Sequence, residues 1–358
     1  MAVKITELSS LSLNGGEWVG EARRQVVRLA HAIGFGKEVI SKIELVVTEM
    51  VTNLTQHQNV LPMLHFGATE ILGEQGKEQS EAPRGKSGVP RGLLMISEDR
   101  GPGIANPERA LQDHFSTAGT MGAGLGTIQR HSEEFSIASY VLRPGQAHPG
   151  TVVTARYWLT PPSEGGLDCE ILTRPKPGEK ENGDGASFSS EGGHPRLALI
   201  DGLGHGAEAC RSTMEIREVL QTSPSLSLPG LMEKAHRAMH GGRGAVVGIL
   251  RLSPGEQRAL YVGVGNIDCR IYGKHPRRPV SMNGSVGVVL PRCREESFPF
   301  GSDDFFVMAS DGISNRWDLE SYPQFQRLPL ILKGALLFRD YSRLTDDATL
   351  AVGKLKER

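Results

Sequence analysis

Cysteine is scarce in this 358-residue sequence and is not arranged for metal binding or cross-linking. Four cysteines stand far apart, with no Cys-x-x-Cys pair, at Cys169, Cys210, Cys269 and Cys293. Structural zinc sites and disulfide frameworks both need cysteines at characteristic spacings. The sequence therefore disfavours both, and we expect reduced thiols that mostly fill the core.

The sequence also lacks a charge excess and a long apolar run. Its 40 Lys and Arg residues face 41 Asp and Glu residues, which leaves no net field to attract nucleic acid or acidic membranes. No apolar run approaches the roughly 18 residues of a membrane span. The amino-terminal residues do not follow the charged-then-apolar pattern of a signal peptide. We expect a soluble, cytoplasmic protein that binds neither nucleic acid nor membranes.

The length predicts two domains, because a chain of 358 residues is too long for one ordinary core. Residues 160–166, Thr-Pro-Pro-Ser-Glu-Gly-Gly, have the composition of a linker, since prolines stiffen it and glycines end it. We predict a first domain over 1–160, a linker over 161–166 and a second domain over 167–358. The oligomeric state is left open.

Acidic residues beside short apolar runs predict a cation site in the second half. Apolar runs bounded by turn residues indicate buried strands, and these bring Asp201, Asp311 and Asp346 to strand ends. A buried carboxylate is unfavourable unless something pairs with it. Mg²⁺ and Mn²⁺ prefer oxygen ligands. The three carboxylates are therefore candidate ligands of a hard divalent cation.

Helical spacing of apolar residues predicts two amphipathic helices over 17–33 and 38–58. On the second helix, Glu49, Asn53 and His57 recur every four residues and so share one line along its surface. Taken alone, this trio is better explained as the polar edge of an amphipathic helix than as a site. For His57 we favour a packing role.

Glycine-rich segments lie among the next predicted elements, strands over 63–72, 92–98, 134–142 and 151–159. Asp99, Gly101 and Gly103 follow the second strand, while Gly122, Gly124 and Gly126 lead into a short helix. Glycines let the backbone approach a ligand closely, and a glycine-rich turn at a helix start presents free N–H groups to phosphate. A single glycine-rich loop is weak support for nucleotide binding.

The combination is more specific than its parts, and it resembles the GHKL ATP-binding fold. The order and spacing are carried by Glu49-x-x-x-Asn53, Asp99-x-Gly101-x-Gly103, Gly122-x-Gly124-x-Gly126 and Gly150-Thr151. Within that superfamily the stretch 17–159 is similar to the anti-sigma serine kinases, particularly the switch kinase of the bacterial stress-response complex. No phospho-accepting histidine helix precedes it, which argues against a sensor histidine kinase.

This resemblance implies a role for each matching position. Asn53 would coordinate the Mg²⁺ of ATP, and Glu49 would take the proton from the attacking hydroxyl of the substrate. Asp99 would accept from the adenine amino group, with Thr151 nearby. The glycines would line the nucleotide and its phosphates, at Gly101, Gly103, Gly122, Gly124 and Gly126.

In the second half, the sequence predicts strands that flank pairs of helices, and this order favours a layered α+β sandwich. Residues 175–193 form a polar, glycine-rich stretch that contains Asp184. The order of motifs resembles the metal-dependent protein serine/threonine phosphatases (PPM), in their bacterial sporulation and stress branch. The likeness is carried by Asp201-Gly-Leu-Gly-His-Gly206, Gly242-Arg-Gly-Ala-Val246, Ser310-Asp-Gly312 and Asp346-Asp-Ala-Thr349.

That second resemblance implies a two-metal site that activates water for attack on phosphorus. Asp201 would bridge the two ions, Gly202 would lend its carbonyl, and Asp311 and Asp346 would hold the second ion. Asp184 matches the family's first acidic position. Asp347 is expected to orient its loop, since the family often has asparagine there. For His205 we favour a role in loop packing over protonation of the leaving group.

Together the two halves predict a bifunctional regulator: an ATP-dependent kinase of the GHKL α/β sandwich (Bergerat) fold, joined to a phosphatase of the α-β-β-α sandwich fold. The resemblance implies STAS-type anti-sigma antagonists or stressosome-like proteins as partners. Two alternatives stay open, a nucleotide-binding switch without kinase activity and a phosphatase merely regulated by ATP. Retention of Glu49 beside Asn53 favours catalysis, because a pure binding module needs the amide and not the base.

Overall fold

The computed structural model describes residues 2–14, 18–56, 60–73, 90–112, 124–163, 165–223 and 225–356. His57 and Gly122 lie outside these ranges. Within them no helix has the length and apolar character needed to cross a membrane.

The strands, numbered in chain order, belong to two sheets. They are β1 (Ala2–Glu7), β2 (Ser9–Ser12), β3 (Met63–Leu72), β4 (Pro90–Glu98), β5 (Glu134–Tyr140), β6 (Gly150–Trp158), β7 (Leu167–Arg174), β8 (Asp184–Glu191), β9 (His194–Gly202), β10 (Ala245–Ser253), β11 (Arg258–Val264), β12 (Asp268–Tyr272), β13 (Ser281–Met282), β14 (Glu296–Pro299), β15 (Phe305–Ala309) and β16 (Ala348–Leu355). In the described ranges the larger sheet has the order β12-β15-β16-β7-β1-β3-β4-β6-β5, with β2 beside β3. The smaller has the order β13-β11-β10-β9-β8, with β14 beside β11.

Seven helices cover these sheets in the described part of the chain: α1 (Trp18–Ile33), α2 (Lys37–Gln56), α3 (Pro107–Ala110), α4 (Gly124–His131), α5 (Ala207–Gln221), α6 (Leu228–Ala238) and α7 (Leu330–Tyr341). The apolar stripes of α1 and α2 pack with α4 on the first half of the larger sheet, around Ile43, Met50 and Leu93. Helices α5 and α6 cover the smaller sheet through residues such as Ile216 and Met232. The predicted α+β class is confirmed.

The core of the second half lies between the two sheets, which makes four layers with α7 on one side and α5 and α6 on the other. Leu199 and Tyr261 from the smaller sheet meet Cys169 and Met308 from the larger one. All four residues are almost fully buried. This is the layering of the predicted α-β-β-α sandwich.

The larger sheet runs through both halves of the chain without a break. Strand β1 pairs in parallel with β7 through residues 2–7 and antiparallel with β3 through residues 3–6. Residues 159–166 connect β6 to β7. The two domains predicted on either side of 161–166 therefore share one sheet. That each of them folds alone stays a prediction.

Buried charges stabilise this joint. The Lys4 ammonium lies 2.8 Å from a carboxylate oxygen of both Asp168 and Glu170. Arg156 donates two hydrogen bonds to Glu170, at 2.9 and 2.7 Å. Buried charges persist only when they are paired in this way. The ion pairs therefore link β6 to β7 and β7 to β1, although β6 pairs through its backbone with β4 and β5.

Candidate functional sites

The first candidate site forms where α2 faces the start of α4. A methyl group placed on Gly124 would lie 2.9 Å from Oδ1 of Asn53 and 3.4 Å from Oε2 of Glu49. The structure therefore brings together the amide, the carboxylate and Gly124, which the sequence separates by some 70 residues. Both side chains are half-buried, which leaves them accessible from the helix start.

Asp99 directly follows β4. Its side chain is buried and accepts a hydrogen bond of 2.7 Å from the backbone N–H of Gly101. Its own N–H donates to the carbonyl of Thr151 at 3.0 Å. Burial raises the pKa of the Asp99 carboxyl group above its ordinary value, although these hydrogen bonds oppose the shift.

Two glycines let neighbouring loops approach Asp99. Gly150 has a φ of +111°, and a side chain there would collide with the backbone of Asp99. Gly103 has a φ of +73°, and a side chain there would collide with the backbone of Tyr140. Ser139 connects them, because its hydroxyl accepts from the N–H of Ile104 at 2.7 Å and lies 2.8 Å from the hydroxyl of Thr151.

These contacts place most of the predicted nucleotide-binding residues. Glu49, Asn53 and Gly124 form one cluster, and Asp99, Gly101, Gly103 and Thr151 lie in a second group of loops held by the contacts just described. Gly126 is buried within α4. Gly122 lies outside the described residues.

The second candidate site lies where the two sheets face each other. On the smaller sheet, Asp184 of β8 stands directly opposite Asp201 of β9. From the larger sheet, Asp311 follows β15 and Asp346 precedes β16. A cavity of about 210 Å³ is lined by Asp201, His205, Asn266, Asp311 and Asp346, among others.

The turn after β9 fixes the approach of Gly202 to this site. The N–H of Gly202 donates to the carbonyl of Gly183 at 3.1 Å, and a side chain at Gly202 would collide with the backbone of Ala209. Helix α5 begins directly after the turn, at Ala207. The tight packing of strand, turn and helix therefore requires glycine at position 202.

The electrostatics of this site favour a bound cation. Burial is the main cause that raises the pKa of the Asp184, Asp201 and Asp311 carboxyl groups. For Asp201 the second cause is the negative charge of Asp184, and for Asp311 it is that of Asp346. Such a group of like charges is unfavourable unless protons or cations neutralise it.

The donor chemistry fits divalent metal ions, although the described residues contain no group of three His, Cys, Asp or Glu side chains that closes around a single point. Repulsion among uncompensated carboxylates keeps them apart. Hard ions such as Mg²⁺ also retain several waters, so a protein site needs few direct ligands. Asp184, Asp201, Asp311 and Asp346 are residues that could hold such ions.

Supporting residues fix these carboxylates, and sequence reasoning missed two of them. The Ser310 hydroxyl donates to Asp184 Oδ2 at 2.6 Å across the gap between the sheets. The Asn266 amide donates to Asp311 Oδ2 at 2.9 Å. Asp347 accepts from the backbone N–H of Lys176 at 2.8 Å, as expected for a residue that orients its loop. The position of Ser310 beside Asp311 was the only signal in the sequence.

The polar, glycine-rich stretch over 175–193 is partly a strand. Asp184 begins β8, which pairs with β9 along eight residues. Its side chains are small or polar except for Phe188, and those of Ala186, Ser187 and Phe188 are buried. Composition did not indicate this strand, because serine and glycine are typical of loops.

The chain is similar to two curated proteins of Bacillus subtilis (strain 168). It is 36% identical over 144 residues to the serine/threonine-protein kinase RsbT, a match that covers 40% of this chain and 91% of that protein. It is 23% identical over 182 residues to the phosphoserine phosphatase RsbX, a match that covers 50% of this chain and 90% of that protein. No protein-family profile matches the chain.

One solved structure, from work on the bacterial stressosome as a modular system that controls secondary messenger signalling, is similar in fold. It has a TM-score of 0.50 and 28% sequence identity, and the match covers 53% of this chain and all of the other. Each match thus covers at least 90% of the other protein but only 40% to 53% of this chain.

Proposed function

This chain belongs to the RsbT family of serine/threonine-protein kinases and carries a phosphatase half of the RsbX type, and from that premise we propose that it both adds and removes phosphate on serine or threonine of partner proteins. The predicted resemblances are confirmed for both halves, and the chain is a regulator of the kinase and phosphatase type that these relatives represent. The observation that carries the proposal is the presence of both residue sets on one chain, Glu49 with Asn53 and Asp201 with Asp311 and Asp346.

The kinase proposal assigns separate roles to neighbouring side chains. The amide oxygen of Asn53 would hold the Mg²⁺ that accompanies ATP, which neutralises charge on the phosphates. Glu49, one turn earlier on α2, would accept the proton of the substrate hydroxyl. Asp99 would recognise the adenine base, and Gly124 at the start of α4 would admit the phosphates close to the backbone.

The phosphatase proposal rests on carboxylates presented by both sheets. Asp201, Asp311, Asp346 and Asp184 would hold two divalent ions, Mg²⁺ or Mn²⁺, which in such sites supply an activated water and neutralise charge on phosphorus. Asn266 orients Asp311, and Ser310 orients Asp184. No serine or cysteine nucleophile is required.

The partners that we propose are STAS-domain proteins of the anti-sigma-antagonist or stressosome type. The relationship to RsbT and the likeness to a stressosome-related structure support this choice. Such a regulator would set how much of the partner carries phosphate at any time. The proposed location is the cytoplasm.

Each activity can be tested with the other one disabled. The full chain with Asp311→Asn is incubated with labelled ATP, Mg²⁺ and candidate STAS-domain proteins encoded nearby, and transfer of the γ-phosphate is expected. The Glu49→Ala chain is given the phosphorylated product with Mn²⁺, and release of phosphate is expected. Nucleotide binding without transfer to any candidate would favour a binding switch instead, and retained phosphate in the second assay would refute the phosphatase assignment.

A further inference from the structure

We propose that Arg339, in the phosphatase half, is a positioning residue of the nucleotide site in the kinase half. This inference rests on the proposed function, because it assumes that Asp99 recognises the nucleotide. It goes beyond that function in making one active site depend on a side chain from the other half of the chain.

Arg339 reaches the Asp99 loop from the last turn of α7. Its Nη1 donates to the backbone carbonyl of Asp99 at 3.1 Å, and its Nη2 lies 3.4 Å from the carbonyl of His148. The contact is reciprocal, because Arg100 donates to the carbonyl of Arg339 at 2.7 Å. Asp99 and the loop before Gly150 are therefore held by the same guanidinium.

The other contacts of Asp99 come from its own half of the chain. Gly101 binds the carboxylate, and Thr151 binds the N–H. The carbonyl is the remaining polar group of the residue, and Arg339 binds it from the second half. A carboxylate that must meet an adenine amino group within hydrogen-bonding distance has little tolerance for rotation of its backbone. Loss of the Arg339 contact is expected to loosen that orientation.

Arg339 itself is held rigidly enough to position another residue. Its side chain is 1% exposed, as is that of Asp340, which it binds in bidentate fashion at 3.0 and 2.8 Å. The Tyr322 hydroxyl also donates to Oδ2 of Asp340, at 2.7 Å. The Tyr322 ring stacks on the His148 ring, with 5.1 Å between the two ring centroids. The guanidinium therefore has a fixed location between the halves.

The helix that carries Arg339 is shared by the two halves. Residues 330–339 of α7 are buried, and they pack in one cluster with Leu350 and Val352 of the phosphatase half and with Ile96 and Tyr140 of the kinase half. Beyond α7, the N–H of Arg343 donates to the carbonyl of Gly312 at 2.7 Å, next to Asp311. One continuous segment thus contacts both the Asp99 loop and a loop of the metal site.

The test measures nucleotide affinity and phosphatase activity in the same full-length proteins. Binding of ADP with Mg²⁺ is followed by calorimetry, and hydrolysis of p-nitrophenyl phosphate with Mn²⁺ reports the second site. Arg339→Lys keeps a charge beside Asp340 but cannot reach all of its partners. The double variant Arg339→Met, Asp340→Asn removes both charges together, so that no buried carboxylate is left unpaired.

We expect both variants to bind ADP about tenfold more weakly, the effect of losing one hydrogen bond from a charged donor, while hydrolysis changes less than about twofold. The matched control is Lys333→Met, which removes another buried cation of α7. Lys333 donates to the carbonyls of Gln326 and Leu328, both in the phosphatase half. Its loss should leave ADP affinity unchanged even where the melting temperature falls.

The outcomes separate the two proposals. Unchanged ADP affinity in both Arg339 variants, or an equal loss in Lys333→Met, would overturn the positioning role and leave the nucleotide site intact. A wild-type chain that binds no ADP would overturn the nucleotide site itself, and this inference with it.

Discussion

Single carboxylates show how the surroundings of a residue decide its chemistry. Asp201 and Asp303 are both aspartates of the second half, yet Asp201 lies among Asp184, Asp311 and Asp346 whereas Asp303 is exposed. A buried cluster of like charges is kept in a fold only where counter-charge is available. Substitution of Asp201 tests whether this cluster binds metal ions. Substitutions of Glu49 and Asn53 test whether these two side chains of α2 have separate roles.

Replacing Asp201 by Asn should abolish most phosphatase activity. The amide keeps the shape of the side chain but removes a charge that would bridge two metal ions, and we expect a loss of about 100- to 1000-fold in kcat. The measurement is hydrolysis of a phosphoserine peptide at saturating Mn²⁺. Asp303→Asn is the control and should retain normal turnover. Near-normal activity of Asp201→Asn would rule out the metal assignment.

Substitutions of Glu49 and Asn53 should have different effects on nucleotide binding and phosphate transfer. Asn53→Ala removes the proposed ligand of the nucleotide's Mg²⁺ and should abolish Mg²⁺-dependent ADP binding. Glu49→Ala removes the base alone, so binding should persist while phosphate transfer is lost. Calorimetry and a transfer assay on the same preparations measure both effects. Equal loss of binding in the two variants would mean that Glu49 has a structural role.

The acidic cluster also predicts how pH and metal ions affect stability. The folded-state pKa values of Asp184, Asp201 and Asp311 are raised, mainly by burial. Raised carboxyl pKa values stabilise the fold below the unfolded pKa of about 4, and this contribution is lost as pH rises through the folded values. With a chelator present, the melting temperature should therefore fall between about pH 6 and pH 8, and Mn²⁺ should offset the fall because cations replace protons. A Mn²⁺ effect that is equal at both pH values would contradict this account.

At the residue level, the sequence indicated the carboxylates of the proposed metal site but not the residues that hydrogen-bond to them. Asp201 follows an obviously apolar strand, and Asp311 and Asp346 stand in short motifs. Ser310 and Asn266 were not predicted as partners, because their bonds to Asp184 and Asp311 join segments 126 and 45 residues apart. Pairings of that kind depend on how two sheets face each other, which local pattern does not reveal.

Among elements, the start of α4 has a close fit to α2. A methyl group on Gly124 would lie 2.9 Å from Oδ1 of Asn53, which is too close unless the Asn53 side chain moves. Gly124→Ala should therefore displace the amide and weaken nucleotide binding by about tenfold or more, since catalytic and binding geometry tolerates little displacement. Calorimetry with ADP and Mg²⁺ provides the measurement.

Gly20→Ala is the matched control for Gly124→Ala, because it also lies in a helix of the first half. Its added methyl group would have only an ordinary contact of 3.6 Å with Arg24, and alanine favours a helix over glycine. Binding in Gly20→Ala should be normal. If Gly124→Ala also binds normally, the proposed approach of phosphate to this turn is wrong.

Elements with strong periodicity were predicted well, and those without it were not. The helices over 17–33 and 38–58 correspond to α1 and α2, and the four predicted strands of the first half correspond to β3, β4, β5 and β6. Strand β8 was missed because it is polar and its burial depends on neighbours. The role of β1 was also missed, since the sequence of these six residues gives no indication that they connect the two halves of the chain within the larger sheet.

At the scale of the whole molecule, the two halves are packed into a single structure. The larger sheet passes through β1 from one half to the other, and α7 is buried against both. A linker motif in the sequence suggested independent domains, whereas contacts far apart in sequence unite them. This arrangement places the two proposed active sites in a fixed spatial relation, and we expect them to act on a shared substrate.

The most direct test is the occupancy of one phosphosite at steady state. The full chain, a STAS-domain partner, ATP and Mg²⁺ are brought to steady state, and the phosphorylated residue is identified and quantified by mass spectrometry. The account predicts a single serine or threonine whose occupancy rises above wild type in Asp311→Asn and falls in Glu49→Ala, because phosphate removal and addition are disabled in turn. A residue that the kinase half phosphorylates but the phosphatase half leaves untouched would contradict it.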